Sequence, residues 1–140
     1  MLALLLPGRA EARTIEYWVA AVPVTWNVVP NGRDPISGAV FSRDETTFRT
    51  IVYKKFTRGW RRPLPNRGDV AGDNDGIPGP TIRARVGDTV LIHFKNRDRL
   101  FNRPHSMHFH GFHYPFSSDG AYIPGTTGRG ANVKPGQTFT

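Results

Sequence analysis

The chain contains no cysteine in its 140 residues. That excludes disulfides, zinc–thiolate sites and thiol chemistry from this span. It also removes the thiolate that a blue-copper site requires. Long apolar runs are missing too, so no segment reaches the ~20 residues of a membrane-spanning helix. Acidic residues are scarce, 11 against 19 Lys and Arg, which leaves a formal charge of +8. The turn formers, by contrast, are abundant. Fifteen Gly and 12 Pro argue for short strands joined by many turns, and against long helices or a coiled coil. The length suits one domain with a modest core.

The positive charge invites a nucleic-acid reading. Much of it falls on Lys54, Lys55, Arg58, Arg61, Arg62 and Arg67, interleaved with Tyr53, Phe56 and Trp60. Such a cluster can grip phosphates and stack bases. No recognised nucleic-acid motif accompanies it, so a solvated strand end running into the Pro-rich Arg62-Pro63-Leu64-Pro65 loop is preferred, and no nucleic-acid partner is expected. At the N-terminus, Leu2 to Leu6 is an apolar burst, and Ala10-Glu11-Ala12 is a small-x-small triplet before Arg13. Residues 1–13 read as a signal-peptide remnant, hence a secreted protein, or as a disordered leader lacking a basic n-region.

Several strands follow. Thr14 to Thr25 is rich in aromatic and β-branched residues, and Phe48 to Phe56 offers two faces, neither cleanly polar. Pro30 to Gly38 is turn-prone. Arg61 to Pro80 is a Pro- and Gly-rich loop in which Asp73-Asn74-Asp75-Gly76 reads as a turn, because the glutamate of a calcium loop is absent. Thr81 to Val86 and Thr89 to Phe94 alternate as a hairpin about Gly87-Asp88. Ser106 to Tyr114 is expected as the next strand, and Gln137 to Thr140 opens another.

Three of the five histidines lie between His105 and His110, and His108 and His110 are two apart. On an extended chain alternate residues share a face. His-x-His therefore presents two imidazoles to one volume, as a copper or zinc centre needs. Gly111 removes a side chain where something bulky can approach the backbone. The plain alternative is a pair of satisfied or surface histidines. Phe109 is expected to face the opposite side, into the core. Trp18, Trp26, Trp60, Phe94 and Phe139 read as packing residues, and His93 has no assigned role.

The series Ile77-Pro78-Gly79-Pro80-Thr81-Ile82, Val86-Gly87-Asp88-Thr89-Val90, Asn96, His108-Phe109-His110-Gly111, Asp119-Gly120 and Lys134-Pro135-Gly136-Gln137-Thr138-Phe139-Thr140 resembles the first cupredoxin domain of multicopper oxidases. Glu16-Tyr17-Trp18-Val19-Ala20-Ala21 and Phe48-Arg49-Thr50 look closest to the ceruloplasmin-like branch. The likeness runs from about Thr14 to the last residue. It implies an all-β, cupredoxin-like Greek-key β-sandwich over 14–140 (plastocyanin-like, type 3 multicopper oxidase-like), truncated at its C-terminus. By the same resemblance, His108 matches a type 2 copper ligand and His110 a type 3 copper ligand of a trinuclear copper cluster shared with sequence outside this span.

The activity implied is one-electron oxidation of a reducing substrate (a phenol, an amine or a metal ion) coupled to reduction of dioxygen to water. Further cupredoxin domains, in cis or in a neighbouring subunit, would complete the site, so the isolated chain is expected to be inactive and to bind copper weakly. Asp119 matches an acidic position that can orient a ligand imidazole or relay protons. An Asp-Gly turn is the alternative. His105, after Pro104, is a partner behind a ligand or a surface residue near Arg103, and His113 is solvated or supports a ligand.

Pro104-His105 and the spacing to His110 also resemble copper nitrite reductases. There an aspartate donates protons where this chain has His108, which favours the oxidase. A metal-binding module without turnover is the other alternative. The segment Gly128-Arg129-Gly130-Ala131-Asn132 carries no carboxylate where ceruloplasmin-like first domains can hold calcium, so no calcium is expected.

Overall fold

Thr14–Asn27, the longest run of high β propensity, forms strand β1 inside a four-stranded sheet. The computed structural model describes residues 11–65, 76–125 and 128–140. The Leu2 to Leu6 burst, Arg67 and Asp73 to Asp75 of the expected turn lie outside them. β2 (Thr47–Phe56) runs antiparallel to β1, and β3 (Thr89–Asn96) runs parallel to it along the other edge. β4 (Thr138–Phe139) pairs antiparallel with β3 at Phe94 and Lys95, giving the order β2-β1-β3-β4. The four-residue helix α1 (Arg43–Thr46) opens with a Ser42/Glu45 capping box. With three 3₁₀ turns it is all the helix among the described residues, and the all-β class holds.

Residues opposite one another across a ladder share a face. Val19 stands opposite Lys55 and Phe94, and Ala21 opposite Tyr53 and Asn96. This face carries the core: Val19, Ala21 and Phe94 are buried, with Tyr17, Ile51, Tyr53 and Ile92 packed around them. Ile82, Met107 and Val133, from segments laid across the sheet, close it from above. Lys55 is buried here because its ammonium donates to the Thr81 carbonyl at 3.2 Å.

On the other face Trp18 stacks on His93 at 4.0 Å between ring centroids and meets Trp60 edge-on at 4.6 Å. The Trp60 indole N–H donates to the Val19 carbonyl at 2.9 Å, and Lys95 sits 5.3 Å over the Trp60 ring. Tyr53, Phe56 and Trp60, the aromatics interleaved with the basic cluster, are thus engaged in packing rather than free to stack on bases. His93 lies between Glu16 and Thr140, 2.9 Å from each.

Two expected ladders are absent among the described residues. Thr81 to Val86 does not pair with β3, although the turn at Gly87 forms, with Asp88 N–H donating to the Arg85 carbonyl at 3.0 Å. Alternation specifies an extended segment with one apolar side, not the partner of its backbone. Here side chains take that role: the Tyr17 hydroxyl donates to the Arg83 carbonyl at 2.6 Å. Ser106 to Tyr114 is likewise not a strand. Its one ladder-like contact is the bridge of the preceding residue, His105, to Val133. The Ser106 and Phe109 carbonyls accept from the hydroxyls of Tyr53 and Tyr114, each at 2.5 Å, in place of a neighbouring strand.

Candidate metal centre

The alternation that the sequence suggests survives without a ladder. Met107 and Phe109 turn towards the sheet, where with Ile82, Ile92, Phe139 and His113 they line an apolar groove of about 550 Å³. His108 and His110 are exposed and do not line it. Their rings lie side by side, 4.8 Å between centroids and nearly perpendicular at 85°. The two imidazoles are thus neighbours on the exposed side of the segment.

Asp119 meets this pair. The Nδ1 of His108 lies 2.7 Å from the Asp119 carbonyl oxygen and 2.6 Å from its Oδ1. A proton held at Nδ1 by these acceptors leaves the Nε2 lone pair to face outward. The Asp119 carbonyl lifts His108 above its ordinary pKa; desolvation opposes this, and the carboxylate adds to the lift. Oδ1 of Asp119 also accepts from the Tyr114 hydroxyl at 3.4 Å.

Gly120 explains how Asp119 gets so close. Its φ is +76°, and a Cβ there would stand 1.9 Å from the Met107 carbonyl oxygen and 3.1 Å from the His108 nitrogen. Only a residue without a side chain permits that approach. Gly111 differs: its φ is +77°, but a Cβ would meet nothing within 4 Å. Within this chain the turn, not crowding, calls for glycine there.

The root of the histidine segment is fixed by buried polar groups. Asn96 and Asp98, at and just past the end of β3, are fully buried. The Asn96 amide donates to the carbonyls of Arg103 and Val133, both at 2.8 Å, and its Oδ1 accepts from Asp98 N–H. Oδ1 of Asp98 accepts from the backbone of Leu100 and Phe101, and Oδ2 from Arg103 N–H and His105 Nε2 at 3.0 Å. Burial pushes the Asp98 carboxyl up, but the hydrogen bonds from Phe101, His105, Arg103 and Leu100 outweigh it and hold it well below the usual range.

A carboxyl held low in the folded state and near 3.8 when unfolded adds stability that is present above 3.8 and is lost as the pH falls below it. Denaturant melts between about pH 5 and pH 2 should therefore show a steeper acid loss for the native chain than for Asp98→Asn. Equal slopes would mean that the carboxylate is not held as described.

His105 thus pairs with Asp98 and lies outside the histidine pair, and His113 sits on the groove side. Gly128 to Asn132 is a tight turn, where a Cβ at Gly128 would stand 2.5 Å from the Phe116 carbonyl oxygen. The sequence did not single out Asp98, Tyr53 or Tyr114 for the site. Asn96-x-Asp98 directly after an apolar alternating strand was the available signal, since Asx side chains bind backbone N–H groups two or three residues on.

Among the described residues, no group of three or more His, Cys, Asp or Glu side chains converges to hold a metal ion. Two adjacent imidazoles, one with its second nitrogen engaged, fit a copper site as a partial donor set.

A sequence family described as multicopper oxidase matches residues 55–140. The chain is 34% identical over 154 residues to "Ferroxidase HEPHL1" of Homo sapiens, covering 96% of this chain and 13% of that protein. It is 31% identical over 137 residues to coagulation factor V of Mus musculus, covering 94% of this chain and 6% of the relative. It is 35% identical over 104 residues to the "Venom prothrombin activator pseutarin-C non-catalytic subunit" of Pseudonaja textilis, covering 74% and 7%. The chain thus spans about an eighth or less of the length of these relatives.

Proposed function

Because this chain belongs to the multicopper oxidase family, with an all-β, cupredoxin-like fold, we propose that it is the copper-binding first domain of a secreted oxidase. That oxidase takes electrons singly from a reducing substrate and reduces dioxygen to water. His108 and His110 serve as ligands of the type 2 and type 3 coppers in a trinuclear cluster. Other cupredoxin domains, in cis or from a neighbouring subunit, supply the remaining ligands. The relative named as a ferroxidase favours a metal ion, among phenols, amines and metal ions, as the reducing substrate.

One observation carries the reading: two imidazoles stand 4.8 Å apart beside a carboxylate that holds the proton of one of them. Copper, when bound, supplies the one-electron chemistry. The chain's own residues orient and protect. Asp119 fixes the His108 ring and holds its Nδ1 proton, Gly120 lets Asp119 approach, and Met107 and Phe109 anchor the segment from the opposite side.

The test is a Cu(II) titration followed by electron paramagnetic resonance, on the chain and on a His108→Ala, His110→Ala variant. The native chain should take up Cu(II) weakly with nitrogen-coupled signals, without oxidase turnover. The variant should lose that uptake by at least about tenfold. Equal uptake by both would overturn the ligand assignment. Oxidase activity from the chain alone would overturn the need for further domains.

A second reading is a binding module without turnover, favoured by the relatives named as coagulation factor V and as a non-catalytic subunit. Copper-dependent oxygen uptake by the longer protein separates the two.

A further inference from the structure

We propose that Asp98, acting through His105, is a positioning residue for the His108/His110 pair, a role that rests on the copper reading above. Asp98 is fully buried, and it is ion-paired with an imidazole rather than with a lysine or arginine among the described residues. Burying a carboxylate is costly unless its oxygens are well bonded. Closing the turn after β3 needs only Oδ1, which accepts from Leu100 and Phe101, both at 2.8 Å. An asparagine would do that equally well. The second oxygen does something else. It reaches Arg103 N–H at 3.1 Å and His105 Nε2 at 3.0 Å, tying the turn to the start of the histidine segment.

His105 carries that tether onward. Its backbone pairs in both directions with Val133 at 3.1 Å. Its ring meets Tyr53 edge-on at 89°, and the Tyr53 hydroxyl takes the carbonyl of the next residue, Ser106. His108 lies two residues beyond Ser106. Between Ser106 and His110 the chain has no ladder; besides Met107 and Phe109 on the sheet side and the Tyr114 hydroxyl on the Phe109 carbonyl, two anchors direct the imidazole pair. One is Asp119-Gly120 at the rings, and the other is the Asp98–His105 pair at the root. Removing the second oxygen's partner should leave the sheet intact and let the ring pair swing.

Two measurements on the full 140-residue chain separate this role from a purely structural one. In the metal-free protein, the imidazole nitrogen and carbon-bound proton signals of His108 and His110 report ring orientation directly by nuclear magnetic resonance. Asp98→Asn and His105→Phe should each shift those signals while the β1 and β2 amide signals stay in place. In the copper-loaded protein, each should weaken Cu(II) uptake by about tenfold.

Unmoved imidazole signals in a folded variant would overturn the proposal. Should Asp98→Asn fail to fold, His105→Phe decides by the same signals, since it keeps an aromatic ring beside Tyr53 and removes the donor to Asp98. Failure of the native chain to take up Cu(II) at His108 and His110 would overturn the copper reading instead, and the metal-free spectra would still decide the positioning role.

Discussion

Replacing Gly120 with alanine is expected to cost roughly 2–5 kcal/mol of folding stability and to displace Asp119 from His108. Two terms add. An L-residue at φ +76° is strained by about 1–2 kcal/mol. The new methyl would also stand 1.9 Å from the Met107 carbonyl oxygen, a backbone atom that cannot rotate away. Relief requires the two segments to part, and overpacking of this kind costs about 1–3 kcal/mol more. The segments that part are those carrying His108 and Asp119, so Cu(II) uptake should fall along with stability.

Gly111→Ala is the control, because φ is similar, +77°, but the space is open. It should cost only the conformational term, about 1–2 kcal/mol. Urea melts and copper titrations on the two variants read both effects. Equal stability losses would mean that the close approach at Gly120 does not exist in solution.

Asn96→Leu should be as damaging, for a different reason. Asn96 is fully buried, and leucine would leave the Arg103 carbonyl and the Asp98 N–H without their Asn96 partner, while the Val133 carbonyl would keep only the His105 N–H. Each buried polar group left unbonded costs about 1–3 kcal/mol, so two such groups give an expected loss of roughly 2–6 kcal/mol. The backbone of Asn96 is bonded as well, to Gln137 and Gly136, and those bonds persist in the variant. Any loss is therefore the side chain's own. Thermal unfolding checks the stability. Faster proteolysis between Arg97 and Arg103 should accompany it, because that turn is closed by Asp98, which Asn96 holds in place. A loss below about 1 kcal/mol would mean that water replaces the amide.

What the sequence made legible follows a pattern. β1 and β2 were readable from local aromatic and β-branched content and β3 from apolar alternation, and Ile92 and Phe94 do pack on the core face with Val19 and Ala21. The pairing of His108 with His110 was readable for the same reason, since a two-residue period persists on any extended chain. Ladder partners were not. Thr81 to Val86 and Ser106 to Tyr114 have the right composition, yet the hydroxyls of Tyr17, Tyr53 and Tyr114 capture their carbonyls.

Nothing local in Tyr53 says that it will meet a carbonyl 53 positions away. Asp98 escaped notice because charge usually signals solvent, and only the fold reveals that its oxygens face inward. Asp119 was readable as a turn residue or as a ligand's support, and it lies where either reading would place it.

The parallel register of β1 with β3 sets Thr14 beside Thr89, 75 residues along the chain. During synthesis at about 5–20 residues per second, β1 leaves the ribosome on the order of 4–15 s before that neighbour exists. β2 can zip onto one side early, but the other side stays bare through the wait. Until β3 arrives, that bare edge is a template for pairing with another chain.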